Sequence, residues 1–123
     1  MKLALTFPER FGAAGCFSGA VDLYDAMARD IGALKSNAIR IFGCEDIPPA
    51  SDLYQLMKRP APRRPRLYAA CGDGDFLYNE HQAFIPALEA AGWEVLRRDD
   101  HDMTHSWRYW DGLIRDFLAW AMI

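Results

Sequence analysis

The chain of 123 residues has only three cysteines, Cys16, Cys44 and Cys71, far apart and odd in number. They fit neither a disulfide framework nor a Cys-x-x-Cys zinc site, and read as reduced thiols in a cytoplasmic protein. No apolar run approaches the roughly 18 residues of a transmembrane helix. The opening MKLALTFPER has one Lys and a short apolar run, but Pro8, Glu9 and Arg10 end it early and no small-residue cleavage site follows, so it does not fit a signal peptide. Positive charge is not in excess: 14 Lys and Arg stand against 17 Asp and Glu, net −3. Neither nucleic acid nor an anionic membrane is expected as a partner. Internal repeats and low-complexity tracts are missing. With 51% hydrophobic and 25% charged residues, a disordered or collagen-like chain is excluded. What remains is a globular chain, read as a single domain over 1–123, able to bury about two-thirds of its unfolded surface.

Along that chain, MKLALTF reads as the end of a helix, stopped by Pro8. So short a helix is marginal alone, and a chain rarely begins with the last turns of one, which points to polypeptide upstream. FGAAGCFS (11–18) is small, apolar and without alternation, as in a buried parallel strand. Residues 22–35 predict a broken helix weakened at Gly32, and residues 36–50 an irregular stretch. SDLYQLMKR (51–59) predicts a short helix with Ser51 and Asp52 as candidate caps. PAPRRPR (60–66) is a loop, LYAAC (67–71) a second buried strand and GDGD (72–75) a turn.

Residues 79–92 predict a helix through the apolar spacing of Ala83, Phe84, Ala87, Leu88 and Ala91. Gly92 is its expected C-cap and Pro86 implies a kink or a late start. WEVLRR (93–98) is a third strand, DDHDMTH (99–105) a polar loop, and residues about 106–122 a last helix. Trp107, Trp110, Leu113, Ile114, Phe117, Leu118 and Ala121 share one face of that helix. Strands alternating with helices predict an α/β protein with a parallel sheet and helices on both faces.

Functional groups in such sheets gather at the carboxyl ends of the strands. Two polar loops lie there: CGDGDFLY, with Asp73 and Asp75, and DDHDMTHSW, with His101 and His105. A carboxylate that accepts the imidazole Nδ1–H fixes the ring's tautomer and stabilises the imidazolium, leaving the other nitrogen to take a proton from a hydroxyl nucleophile. The order Asp…His suits the last two members of a Ser…Asp…His hydrolase triad. The pattern by itself is weak.

The stretches LALTFPERFGAAGCFSGAVDL, SDLYQL, CGDGDFLY and HSWRYWDGLIRDFLAW span nearly the whole chain. Together they resemble the C-terminal half of the esterase family of α/β-hydrolases that includes tributyrin esterase, esterase D and S-formylglutathione hydrolase. The resemblance implies a partial α/β-hydrolase fold: about three parallel strands flanked by helices, a truncated three-layer sandwich. It also implies serine carboxylesterase chemistry on small-molecule esters, with no cofactor and no metal. The family's acid falls on Asp75, before Phe76-Leu77-Tyr78, and its histidine on His105, before Ser106-Trp107 and Trp110; Asp73 is an alternative acid. Where the family commonly has Pro-Gly before the histidine, this chain has Asp102-Met103-Thr104.

The family's nucleophile sits in a Gly-x-Ser-x-Gly elbow ahead of the helix that ends in KLAL. By that resemblance the serine and both oxyanion-hole donors lie upstream of Met1, and the isolated chain is expected to be inactive. Ser18 in GCFSG stands one position too late for the elbow and reads more simply as a small residue ending a buried strand. Without its neighbour, the strand 11–18 would be a long uncharged edge, so a homodimer or other homo-oligomer through that edge is expected.

Plainer readings apply to the remaining features. His101 and His105, four apart, would suit zinc only on a helix; the general-base Glu is missing and the segment reads as loop. His101 is expected to be solvated and His81 exposed on its helix. Lys58, Arg59, Arg63, Arg64 and Arg66 read as a solvated loop, the tryptophans of the last helix as core, and the cysteines as small buried hydrophobes, with Cys71 no nucleophile.

Overall fold

The computed structural model describes residues 1–123. Its centre is the apolar run Arg66–Gly72, strand β2, buried along almost its whole length. β1 (Ala13–Phe17) and β3 (Val95–Asp100) lie on either side in the order β1-β2-β3, both parallel to β2. Alternate residues of β2 face opposite sides of the sheet, as the strand period requires. Leu67 and Ala69 meet Leu5, Val21, Leu56, Met57, Phe84, Ile85 and Leu88 on one side. Tyr68 and Ala70 meet Tyr109 and Leu113, with Phe17, Phe117 and Trp120 against them, on the other.

The first side is built by α1 (Lys2–Thr6), α4 (Leu53–Leu56) and α5 (Tyr78–Ala90), the second by α6 (Trp107–Ala121). Fully burying a side chain such as Phe84 or Leu88 stabilises the fold by about 2 kcal/mol. The architecture is a three-stranded parallel sheet between helical layers, as expected of a partial α/β-hydrolase fold.

Local chemistry accounts for most boundaries. Asp22 caps α2 (Leu23–Ala28), its carboxylate accepting the amides of Tyr24 and Asp25. The expected break follows: Asp30 and Gly32 both take positive φ, and Asp30 ties back the amides of Lys35 and Ser36. Of the two candidate caps of α4, Asp52 does the capping, while the Ser51 hydroxyl receives Lys2 Nζ. Gly92, at φ +86°, follows α5 where the left-handed conformation ends the helix.

Five expectations about the fold need correction. The stretch 36–50 contains a helix, α3 (Ala38–Phe42), stopped by Gly43 at φ +77°. β3 begins two residues later than predicted, because Trp93 is buried and its indole donates to Met57 O at 2.9 Å. Cys44 is exposed, unlike Cys16 and Cys71. Arg64 and Arg66 are not simply solvated: their guanidinium groups lie over the Trp93 and Trp120 rings. The stripe on α6 is also only partly covered. Tyr109 and Leu113 are buried, but Trp107 is 83% exposed and Ile114 and Leu118 are exposed as well.

Candidate active site

In parallel pairing, Cys71 stands beside Asp99 and Gly72 beside Asp100, so β2 and β3 end on the same rim. The chain then makes two tight structures that lock together. Asp75 N bonds Gly72 O, closing the turn 72–75, while Gly74 N bonds Met103 O at 3.0 Å and Asp73 N bonds Asp100 O at 3.0 Å. A Cβ at Gly72 would overlap the Met103 backbone. Only glycine lets the loop 101–105 lie this close to the end of β2.

That contact sets Asp75 against His105. The Asp75 side chain is wholly buried and the imidazole is 34% exposed, with Nδ1 3.0 Å from Oδ2 and 3.3 Å from Oδ1. Oδ1 also accepts the Leu77 amide at 2.9 Å, fixing the carboxylate's rotation. An ionised carboxylate only accepts hydrogen bonds, so Nδ1 carries the proton. In the neutral ring Nε2 is then the acceptor, and it has no protein partner. Phe76 lies against the imidazole at 4.6 Å between ring centroids, and Trp110 meets it edge-on at 4.7 Å and 90°. The arrangement can hold one tautomer, accept a proton at Nε2 and stabilise the resulting imidazolium.

Asp73 pairs elsewhere. Its Oδ2 lies 2.6 Å from His101 Nδ1 and its Oδ1 accepts the Asp102 amide at 2.8 Å. The His101 hydrogen bond holds the Asp73 carboxyl below its usual range. The two histidines therefore face different acids and do not converge on one ion. Asp73, His101 and Asp102 do place potential ligand atoms within 4.8 Å of one another, all on the surface.

Three further features of the site have no signal in spacing or periodicity. His81 is buried, contrary to expectation, with Nε2 2.8 Å from Gly19 O, and burial pushes its pKa below the ordinary value. The neighbouring Glu80, also buried, accepts the amides of Val21 and Asp22 at 2.7 and 3.2 Å; burial raises its pKa. The two side chains fasten the segment after β1 to α5. Ser18, at the end of β1, is 4% exposed and accepts the Trp110 indole N–H at 3.1 Å. It makes no hydrogen bond to His105. The Cys71 thiol beside it is pushed up to about 12, first by burial and then by the Asp75 charge, and is no thiolate at neutral pH.

A comparison with protein-family models gives no match, and neither does one with curated proteins. Solved structures do match. S-formylglutathione hydrolase (FrmB) from Staphylococcus aureus superposes with a TM-score of 0.76 at 25% identity, over 99% of this chain and 49% of that one. FphF, a fluorophosphonate-binding serine hydrolase of Staphylococcus aureus, gives 0.82 at 25% identity, over 99% and 49%. An S-formylglutathione hydrolase from Agrobacterium tumefaciens shares the fold at 21% identity, with a TM-score of 0.69, over 98% and 43%. The chain spans about half the length, or less, of these structures. In fold and along nearly all of its length, it resembles a portion of the esterase and S-formylglutathione hydrolase family of α/β-hydrolases.

Proposed function

We propose that the chain provides the acid and the general base of a serine carboxylesterase acting on small acyl esters. The observation that carries this reading is the wholly buried Asp75 carboxylate bonded at 3.0 Å to Nδ1 of a half-exposed His105. Asp75 orients the ring and stabilises its cationic form. His105 Nε2 takes the proton of a serine hydroxyl as that oxygen attacks the ester carbonyl, then returns it to the departing alkoxide. No residue here meets the requirements of the nucleophile: Ser18 is buried and engaged by Trp110, and Cys71 is a neutral thiol. The attacking serine and the oxyanion donors come from other polypeptide, and the 123 residues alone are inactive.

The test has two parts. The chain alone should neither turn over p-nitrophenyl acetate nor label with a fluorophosphonate; labelling at Ser18 would overturn the assignment. Expressed in frame with an upstream segment bearing Gly-x-Ser-x-Gly, it should hydrolyse the ester. His105→Ala should then lower kcat/KM by about 10³-fold or more, and retained activity would refute the role of His105.

A second reading concerns the chain by itself. β1 pairs with β2 on one edge only, and the apolar side chains of Trp107, Ile114 and Leu118 are exposed on α6, which packs against β1. An unpaired strand edge beside apolar surface favours association. Two copies meeting edge to edge across a two-fold axis would join their sheets. Light scattering on the chain tests this, and a monodisperse monomer would exclude it.

A further inference from the structure

We infer that Ser18 is a positioning residue for His105, acting through the indole of Trp110. The inference rests on the reading of Asp75 and His105 as the acid and base, and concerns what aims the ring. Ser18 is held at φ +49°, a left-handed conformation that a side chain makes costly and that glycine adopts freely. The turn is fixed from four sides. Ser18 N donates to Ala70 O at 2.9 Å, His81 Nε2 donates to Gly19 O, and Glu80 accepts the amides of Val21 and Asp22. Strain of this kind persists where the surroundings over-determine the backbone.

If backbone shape were the whole requirement, glycine would serve there. What serine adds is a hydroxyl, and it is placed 3.1 Å from Trp110 Nε1, across 92 residues of sequence. That bond fixes the rotation of an indole that stands perpendicular to the His105 imidazole, 4.7 Å between centroids. Phe76 also lies against the imidazole, at 4.6 Å between centroids and 38°. Asp75 holds Nδ1 but leaves the ring free to swing about that bond, and the two aromatic walls remove the swing. The direction of Nε2 is thus set by Ser18 through Trp110, and a base misaimed by an ångström loses much of its effect.

The imidazole ¹⁵N spectrum of the neutral ring reports which nitrogen carries the proton. The wild-type chain should show a single Nδ1–H form for His105. Ser18→Gly keeps the backbone conformation and removes the hydroxyl; Trp110→Phe keeps an aromatic ring beside the imidazole and removes the donor. Each should keep that tautomer, which Asp75 fixes, but speed solvent exchange of the His105 Nδ1–H as the ring swings, and the double variant should be no worse than either alone, as expected of residues acting in series. If Ser18→Gly fails to fold, Trp110→Phe decides. A variant that frees the Trp110 indole N–H to exchange yet leaves exchange of the His105 Nδ1–H unchanged would overturn the inference, as would additive effects.

Asp75→Asn is the control for the underlying reading. Its amide oxygen would keep the Leu77 bond, so its NH₂ would face Nδ1 and force the Nε2–H tautomer. An unchanged His105 spectrum in that variant would refute the acid–base pair itself. A changed one, with Ser18→Gly and Trp110→Phe silent, would refute only the role of Ser18.

Discussion

Two aspartate–histidine pairs stand on one rim, Asp75 with His105 and Asp73 with His101, and the shorter of them is the less equipped for chemistry. The outer pair is separated by 2.6 Å and the inner by 3.0 Å. Yet the outer imidazole is 84% exposed, where water screens the pair and competes for both partners. The inner carboxylate is sealed, rotated into place by the Leu77 amide, and its imidazole is walled by two aromatic rings. Separation alone does not distinguish a relay from a surface contact. Desolvation of the acid and restraint of the ring do, because in that setting the carboxylate's charge acts on the imidazole with little competition.

The comparison can be broken most severely at the element both pairs share. Gly72→Ala forces a methyl into the Met103 backbone, displacing the loop that carries both histidines. A loss of about 3 kcal/mol in urea unfolding is expected, with the imidazole resonances of His101 and His105 both moved.

Asp75→Ala leaves a buried Leu77 amide and the His105 Nδ1–H without their acceptor, which should cost about 2 kcal/mol. Asp73→Ala should stay within about 0.5 kcal/mol. The same urea titration measures both, and equal losses would erase the distinction.

The third histidine sharpens the contrast, being buried against a backbone carbonyl. Burial depresses His81 below its ordinary 6.5, so the folded state requires the neutral ring. Its contribution to stability is present above 6.5 and is lost as pH falls through the lowered folded value. Glu80 has the opposite sign: its pKa is raised above 4.5, so its contribution is present below that value and fades as pH rises through the folded one. The single variants separate the two: between pH 7.5 and 5, His81→Gln should shift the change in Tm in the favourable direction relative to wild type, and Glu80→Gln in the unfavourable one. The smallest effect belongs to the exposed partner: His101→Ala should leave Tm within about 2 °C of wild type.

How much of this was legible in the sequence depends on the range of the interaction. The three strands, the alternation with helices and the cap at Asp52 are local matters of burial and turn chemistry, readable from neighbouring residues. Asp75 and His105 were reached through flanking aromatic residues, since one carboxylate or imidazole in a polar loop looks like any other. Asp73 could not be separated from Asp75, because which acid meets which histidine depends on how two loops interlock across the strand ends. His81 was misjudged for a related reason, and Ser18, rightly read as a small residue ending a buried strand, has a partner that spacing could not show. A serine ending a strand and a histidine early in a helix show nothing in spacing, and their partners lie 92 and 62 residues away. Trp107 erred in the other direction: helical periodicity identifies an apolar face without saying whether anything covers it.

The side-by-side alignment of β2 and β3 has a consequence for how such a protein tolerates change. The excursion joining Asp75 to β3 is pinned at both ends to neighbouring rungs of the ladder, and its first residues, Phe76 and Leu77, hold the Asp75–His105 pair, so a change of length beside Asp75 would disturb that pair. A slip of one rung between those strands would be ruinous. It would carry the histidine loop about 3.3 Å along the strand and turn every inward side chain of β3 outward.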